Sequence, residues 1–155
     1  MYELLRYFLI GLPIGITFRT KIGYIAEVEG SSMQPTLNPN ISDSDYVLLN
    51  RWSVWRHGID RGEIVAVTSP RNPSETLIKR VVGLAGDIVV THGYKEHVLK
   101  VPEGHCWLEG DNSSHSLDSN IFGPVSVGLV IAKATWIVWP ISRWQSLQSS
   151  TLKHK

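Results

Sequence analysis

Two short stretches of the chain carry residues suited to hydrolytic chemistry. In residues 30–37, Ser32 lies two residues after the flexible Gly30 and three before Pro35, whose ring fixes the backbone φ at about −65°. In residues 77–87, Lys79 lies in an apolar, β-branched run, where burial in a strand lowers the pKa of an amine. A neutral amine can take the proton of a serine hydroxyl while that hydroxyl attacks a carbonyl carbon. The two stretches therefore predict a serine hydrolase with a lysine base.

Histidine and cysteine give weaker signals. His115 and Asp118 suggest a Ser/His/Asp triad as an alternative, although the lysine run accounts better for the chemistry. The six histidines and the single cysteine show no close ligand spacing, so neither a metal site nor a cofactor is predicted. Cys106 precedes Trp107 and Leu108 and is expected to be a buried strand residue.

Length and charge limit the classes of protein that fit. A chain of 155 residues is long enough for one compact domain, and no internal repeat is present. With 15 basic and 14 acidic residues the net charge is +1, which argues against nucleic acid as a partner. We expect a membrane anchor over residues 1–25, a catalytic β domain over 26–145 and a polar tail over 146–155.

The expected anchor rests on an apolar run at residues 7–18, with Arg6 before it and Arg19 and Lys21 after it. Twelve helical residues cover only about 18 Å of a hydrocarbon core of about 30 Å, so a span requires residues 4–25 with snorkelling basic side chains. An uncleaved anchor is the preferred interpretation, and a cleavable signal peptide or a buried core helix are the alternatives. The flanking charges do not determine its orientation.

The rest of the chain has a β pattern of short β-branched runs separated by turn residues. The predicted strands are residues 22–28, 46–49, 63–68, 75–84, 87–92, 97–101, 106–108, 125–130 and 133–139. Such regular spacing predicts antiparallel sheets curled into a barrel-like body. Residues 50–60 and 112–120 are expected to be irregular.

Three motifs, in this order, resemble those of the type I signal peptidases, which are membrane-bound serine proteases with a Ser/Lys dyad. The motifs are Ser-Met-Gln-Pro-Thr-Leu at 32–37, Ile-Lys-Arg-Val-Val-Gly-Leu-Ala-Gly-Asp at 78–87, and Gly-Asp-Asn at 110–112 with Ser-Leu-Asp-Ser at 116–119. Further matches at 28–30, 38–39, 46–50, 118–120 and 122–125 resemble the mitochondrial inner-membrane members of the family. The resemblance covers residues 24–145.

The resemblance implies roles for particular residues. Ser32, which directly precedes the methionine, is the expected nucleophile and Lys79 its base. Ser116 is expected to orient the lysine, and Asp118 and Asp111 to support the surrounding network. Many bacterial relatives carry an arginine two residues after the aspartate, where this chain has Asn120.

For the oxyanion, the resemblance implies the amide N–H of Ser32 as the first donor. At the position where family members often supply a serine hydroxyl, this chain has Gly30. The substrate is expected to bind as an extended strand, because strand addition supplies hydrogen bonds that do not depend on sequence. The expected walls of the pocket for the residue before the cut are Met33, Leu37, Leu77 and Ile78.

The family match implies an enzyme that removes sorting peptides from precursors delivered to the mitochondrial intermembrane space. It also implies an inner-membrane location and a heterodimer with a homologous subunit. Trp136, Trp139 and Trp144 are candidates for contact with lipid or with that subunit. A non-catalytic assembly partner is the main alternative. Self-cleaving repressors also use a Ser/Lys dyad, but no DNA-binding helical pattern precedes the motifs here.

Overall fold

A computed structural model of the chain describes residues 6, 7, 9, 11–13, 15, 21–40 and 44–147. These residues form one large antiparallel sheet and one small one. The strands are β1 Gly23–Glu27, β2 Tyr46–Asn50, β3 Ile64–Thr68, β4 Thr76–Leu84, β5 Ile88–Val90, β6 Val98–Lys100, β7 His105–Glu109, β8 Val125–Ser126, β9 Val130–Trp139 and β10 Gln145–Ser146. The mainly β, antiparallel prediction is confirmed.

The large sheet is open, with β1 at one edge and β8 at the other. Its order is β1-β2-β9-β3-β4-β7-β8, with β10 also paired to β9, while β5 and β6 form the separate two-stranded sheet. The long strand β4 pairs with β3 along one side and with β7 along the other. A register shift between Val81 and Gly83 interrupts the pairing of β4 with β7, and such irregularities bend and twist a strand.

Two buried clusters of apolar side chains supply most of the core. The first joins the segment after β1, through Met33 and Leu37, to residues of β2, β3 and β9. The second is built from β3, β4, β7 and β8 and includes Cys106. Burial raises the pKa of the Cys106 thiol to about 11, so this cysteine is a packing residue, as predicted.

Residues 50–60 were expected to be irregular, but they contain helix α1, Arg51–His57. Asn50 begins this helix, because its side chain accepts a hydrogen bond of 3.0 Å from the amide N–H of Ser53. The helix ends at Gly58, whose φ of 69° most side chains disfavour. The capping asparagine is visible in the sequence and was the available signal.

Residues 125–130 and 112–120 also differ from their predicted structure, and β9 begins at Val130 rather than at residue 133. Residues 125–130 do not form one strand, since Ser126 Oγ accepts a hydrogen bond from Gly128 N and a 3₁₀ turn follows at Val127–Leu129. Residues 112–120, expected to be irregular, contain a 3₁₀ turn at Ser113–His115 and the beginning of the short helix α2, Ser119–Phe122.

The ends of the chain are described only in part. Of the predicted anchor, residues 1–5, 8, 10, 14 and 16–20 lie outside the described residues, and among those described no helix is long and apolar enough to cross a membrane. Strand β1 begins at Gly23, within the range expected for the anchor. Of the predicted tail, Ser146 belongs to β10, and residues 148–155 lie outside the described part.

Candidate active site

Ser32 lies on the segment of residues 29–38 after β1, here called the serine loop. Gly30 has a φ of +85°, a conformation that glycine adopts without the strain of a side chain. The amide N–H of Leu37 donates to the carbonyl of Met33 at 2.9 Å, and both side chains are buried in the first core cluster. The core thus fixes the loop that presents Ser32.

Lys79 comes from β4, 47 positions further along the chain, and its Nζ lies 2.7 Å from Ser32 Oγ. The residue is only 3% exposed, and this burial lowers the pKa of its amine. The negative charge of Asp118 acts in the opposite direction, as the smaller effect. The arrangement therefore places a buried amine in hydrogen-bond contact with the serine hydroxyl.

The Gly-Asp-Asn motif packs directly against the backbone of Ser32. The amide N–H of Asn112 donates to the Ser32 carbonyl at 3.0 Å, and Asn112 Nδ2 donates to the Ser31 carbonyl at 3.2 Å. A Cβ atom at Gly110 would overlap the Ser32 carbonyl oxygen and Ser116 Oγ. Sequence reasoning recognised the whole motif but gave a role only to its aspartate, whereas in the structure Gly110 and Asn112 pack against the serine loop.

Asp111 forms an ion pair with Arg80, the residue after Lys79. Arg80 Nε and Nη2 donate to the two carboxylate oxygens of Asp111 at 2.7 and 2.6 Å. Arg80 also donates to the Gly62 carbonyl. Asp111 therefore does not merely cap its loop, because it ties that loop to the strand that carries Lys79.

Asp118 is buried, and residues close to it in the chain donate hydrogen bonds to its carboxylate. Its carboxylate accepts hydrogen bonds from Gly110 N at 3.0 Å, Asn120 N at 3.0 Å and Asn120 Nδ2 at 3.2 Å. The neutral amide of Asn120 thus contacts the aspartate that an arginine would contact in many bacterial relatives. The salt bridges among the described residues do not include Asp118, whose charge acts on the amine of Lys79.

Ser116 and His115 do not make the contacts that the sequence suggested. Ser116 Oγ is buried, lies against Gly110 and has no hydrogen-bond partner among the described residues, so the expected bond to Lys79 is not formed. The ring Nδ1 of His115 pairs with Ser114 Oγ at 2.9 Å rather than with Asp118. The described contacts therefore do not assemble the alternative triad.

An apolar cleft of about 360 Å³ opens beside the Ser32–Lys79 pair. Met33, Leu77 and Ile78 line it, as expected, whereas Leu37 does not, because the turn from Met33 to Leu37 directs that side chain into the core. Strand β7 pairs with β4 only from Arg80 onward, so residues 76–79 have no strand partner on that side among the described residues. This free edge offers backbone groups to an extended peptide.

A second group of buried polar residues, missed by sequence reasoning, supports the serine loop from behind. Asn38 has a φ of 50°, and its Nδ2 donates to the Gly30 carbonyl at 3.1 Å. Its backbone N–H donates to Asp45 at 2.8 Å, and Asp45 also accepts two hydrogen bonds from Arg143. Arg143 in turn donates to the Thr36 carbonyl at 3.0 Å. The Asn-Pro pair at 38–39 was the only local signal of this network.

A serine in contact with a buried amine, beside an apolar cleft with a free strand edge, is what a peptide-cleaving hydrolase on a β scaffold requires. The comparisons identify the family. The chain belongs to the signal peptidase family, peptidase S26, whose family model matches residues 1–96 and 90–139. It is therefore a protease of the signal-peptidase type.

The relatives carry more specific names. The chain is 52% identical over 144 residues to "Mitochondrial inner membrane protease subunit 2" of Danio rerio, covering 92% of this chain and 79% of that protein. It is 38% identical over 138 residues to "Mitochondrial inner membrane protease subunit 1" of Homo sapiens, covering 86% and 80% respectively. A crystal structure of a signal peptidase I from Enterococcus faecalis matches with a TM-score of 0.44 and 27% identity, over 50% of this chain and 97% of that one.

Proposed function

We propose that this chain is a serine endopeptidase in which Ser32 is the nucleophile and Lys79 the general base. The observation that carries the proposal is the 2.7 Å contact between Ser32 Oγ and the Nζ of a buried lysine. A free serine hydroxyl is a weak nucleophile and needs a base within hydrogen-bond reach. Lysine serves as that base only when uncharged, and burial favours its uncharged form.

In the first half of the reaction, Ser32 Oγ bonds to the scissile carbonyl carbon while its proton passes to Lys79 Nζ. The resulting oxyanion accepts a hydrogen bond from the Ser32 amide N–H. When the C–N bond breaks, the ammonium of Lys79 returns the proton to the departing amine. Lys79 then takes a proton from water, whose oxygen attacks the carbonyl carbon of the acyl-enzyme. As the ester bond to Ser32 breaks, Lys79 returns this proton to Ser32 Oγ, and the peptide's new carboxyl end is released.

Asp118 acts through electrostatics in this scheme. Its buried carboxylate raises the pKa of Lys79, in opposition to the effect of burial. It therefore stabilises the ammonium that forms when Ser32 is deprotonated. The ion pair of Arg80 with Asp111 and the hydrogen bonds of Asn112 keep the two reacting side chains in register.

The substrate is a precursor that carries a sorting peptide, bound as an extended strand along residues 76–79 of β4. The apolar cleft of Met33, Leu77 and Ile78 then receives the side chain before the cut. Because these three side chains are apolar, selection at this position depends on pocket volume. The free strand edge and the apolar lining support this mode of binding.

The names of the relatives support a place of action at the mitochondrial inner membrane. We propose that the amino-terminal segment anchors the chain there and that the β domain faces the intermembrane space. A homologous subunit is the proposed heterodimer partner, since the relatives include proteins named subunit 1 and subunit 2. Trp136, Trp139 and Trp144, which are 41, 53 and 63% exposed, are available for contact with lipid or with that partner.

The catalytic proposal is tested by processing assays on Ser32→Ala, Lys79→Ala and Lys79→Arg, with the exposed substitutions Ser113→Ala and Lys100→Arg as matched controls. We expect all three site variants to be inactive, including Lys79→Arg, because a guanidinium keeps its proton and cannot act as the base. The controls should process normally. Normal processing by Ser32→Ala, with an intact complex, would instead favour the non-catalytic assembly role.

Carbonate extraction and purification in mild detergent test the remaining proposals. The full-length chain should stay with the membrane fraction and should co-purify with its homologous subunit. Release of the intact chain into the soluble fraction would contradict the anchor. Recovery as a monomer alone would contradict the heterodimer.

A further inference from the structure

A second cavity, of about 410 Å³, also borders the serine loop. Gly30 borders both cavities, Ser32 lines the apolar cleft and its neighbour Ser31 lines the second cavity. A peptide whose scissile bond lies over Ser32, with its acyl part in the apolar cleft, therefore has this cavity available for the part that leaves. The catalytic scheme assigns it no role.

The described lining of this cavity differs from that of the apolar cleft. Among the described residues, its lining consists of Gly30 and seven polar residues without a carboxylate: Ser31, Gln34, Asn38, Asn40, Ser44, Asn112 and His115. The catalytic cleft, by contrast, combines methionine, leucine and isoleucine with the charged Glu27, Glu29 and Lys79. The two sides of the cut thus meet different surfaces, and a polar surface rewards side chains that form hydrogen bonds with it.

The donors of the cavity are fixed in position. Gln34 Nε2 is held by the Asn38 carbonyl at 2.7 Å, and Asn112 Nδ2 by the Ser31 carbonyl at 3.2 Å. Each amide nitrogen has two hydrogens, so one remains for a ligand. A pre-positioned donor costs less entropy on binding than a free side chain does.

His115 supplies a hydrogen-bond acceptor. Ser114 Oγ donates its single hydrogen to Asn112 Oδ1 at 2.8 Å, so the 2.9 Å contact with His115 is made by a hydrogen on the ring Nδ1. The neutral ring then presents Nε2 as an acceptor, and Nε2 has no partner among the described residues. Amide donors and a ring acceptor together complement a side chain that both accepts and donates.

We propose that this cavity binds the first or second residue released after the cut and selects asparagine or glutamine there. The inference rests on the proposed function, because it assumes that Ser32 is the nucleophile. His115 is a specificity residue in this scheme and touches the leaving peptide, not the reacting atoms. A buried amide that finds matching partners is favoured over an apolar side chain of similar size, which leaves those partners unpaired.

The test uses the purified full-length chain in detergent and quenched peptides that differ only at the first or second position after the cut. At one of these positions, the ratio of kcat/KM for asparagine over its near-isostere leucine should be roughly 2 to 10, the value of one hydrogen bond. His115→Leu should bring that ratio to about 1. His115→Gln, which keeps polar groups at the site, should retain most of it.

His97→Leu, an exposed histidine outside the cavity, is the matched control and should leave the ratio unchanged. A ratio near 1 at both positions in the wild type, or a ratio that survives His115→Leu, would overturn the inference while cleavage itself continued. Failure of the wild type to cleave any peptide faster than Ser32→Ala does would overturn the proposed function instead.

Discussion

Replacing Gly110 by alanine tests whether the Gly-Asp-Asn loop positions the nucleophile. The new Cβ would overlap the Ser32 carbonyl oxygen, the Ser116 hydroxyl and, at 2.7 Å, Ser116 Cβ. The Ser116 side chain can rotate away, but the Ser32 carbonyl belongs to the backbone of the serine loop. Relief of the overlap therefore requires the loop or the strand end to move.

The required displacement sets the size of the effect. Ordinary contacts begin at 3.4 Å, so the two backbones must separate by about 1 Å. A misplacement of about 1 Å at a reacting group costs about 100-fold in rate. The same overpacking should lower the free energy of unfolding by about 1 to 3 kcal/mol. The hydrogen bond from Asn112 N to the Ser32 carbonyl would be lengthened as well.

The assay is precursor cleavage by Gly110→Ala at a temperature where circular dichroism shows the variant to be folded. Gly128→Ala is the matched control, because its Cβ would lie 3.5 Å from Ser126 Oγ, an ordinary contact. We expect kcat to fall about 100-fold in the first variant and to stay near wild type in the second. Cleavage within about threefold of wild type by folded Gly110→Ala would refute the positioning role of this glycine.

Three further predictions concern the amine, the support network and the cleft. Activity should rise with pH through the lowered pKa of Lys79, because only the uncharged amine accepts the serine proton. Burial destabilises the charged form of Lys79, so Lys79→Met should be more stable than wild type at neutral pH. Urea unfolding should show this gain in unfolding free energy vanishing as pH rises toward 10.5. A gain that grows with pH would contradict the prediction. Arg143→Met leaves the fully buried Asp45 carboxylate without its cation and should lose about 3 kcal/mol of unfolding free energy. The control Arg61→Met, which breaks the more exposed pair with Asp87, should lose less than about 1 kcal/mol. Equal losses would argue against the support network. Ile78→Ala should admit bulkier residues before the cut in a peptide library, and an unchanged profile would place the pocket elsewhere.

The family and the two reacting residue types could be predicted from the sequence because they depend on local order. Ser32 before methionine and Lys79 within a β-branched run are patterns of neighbouring residues, and the motifs keep their order along the chain. The strand positions could be predicted for the same reason, because burial in a pleated sheet leaves a pattern of residue types along the sequence. The helix of residues 51–57 was missed, although its capping asparagine was also a local signal.

Only the tertiary structure decided which residues far apart in the chain come into contact. No local pattern brings Lys79 Nζ to Ser32 Oγ, sets Gly110 against the Ser32 carbonyl or turns Leu37 from the cleft into the core. Arg143 supports the serine loop through hydrogen bonds to Thr36 and Asp45, which lie 107 and 98 residues before it in the chain. Such contacts arise when strands pair across the sheet, because pairing fixes distances that sequence separation does not encode.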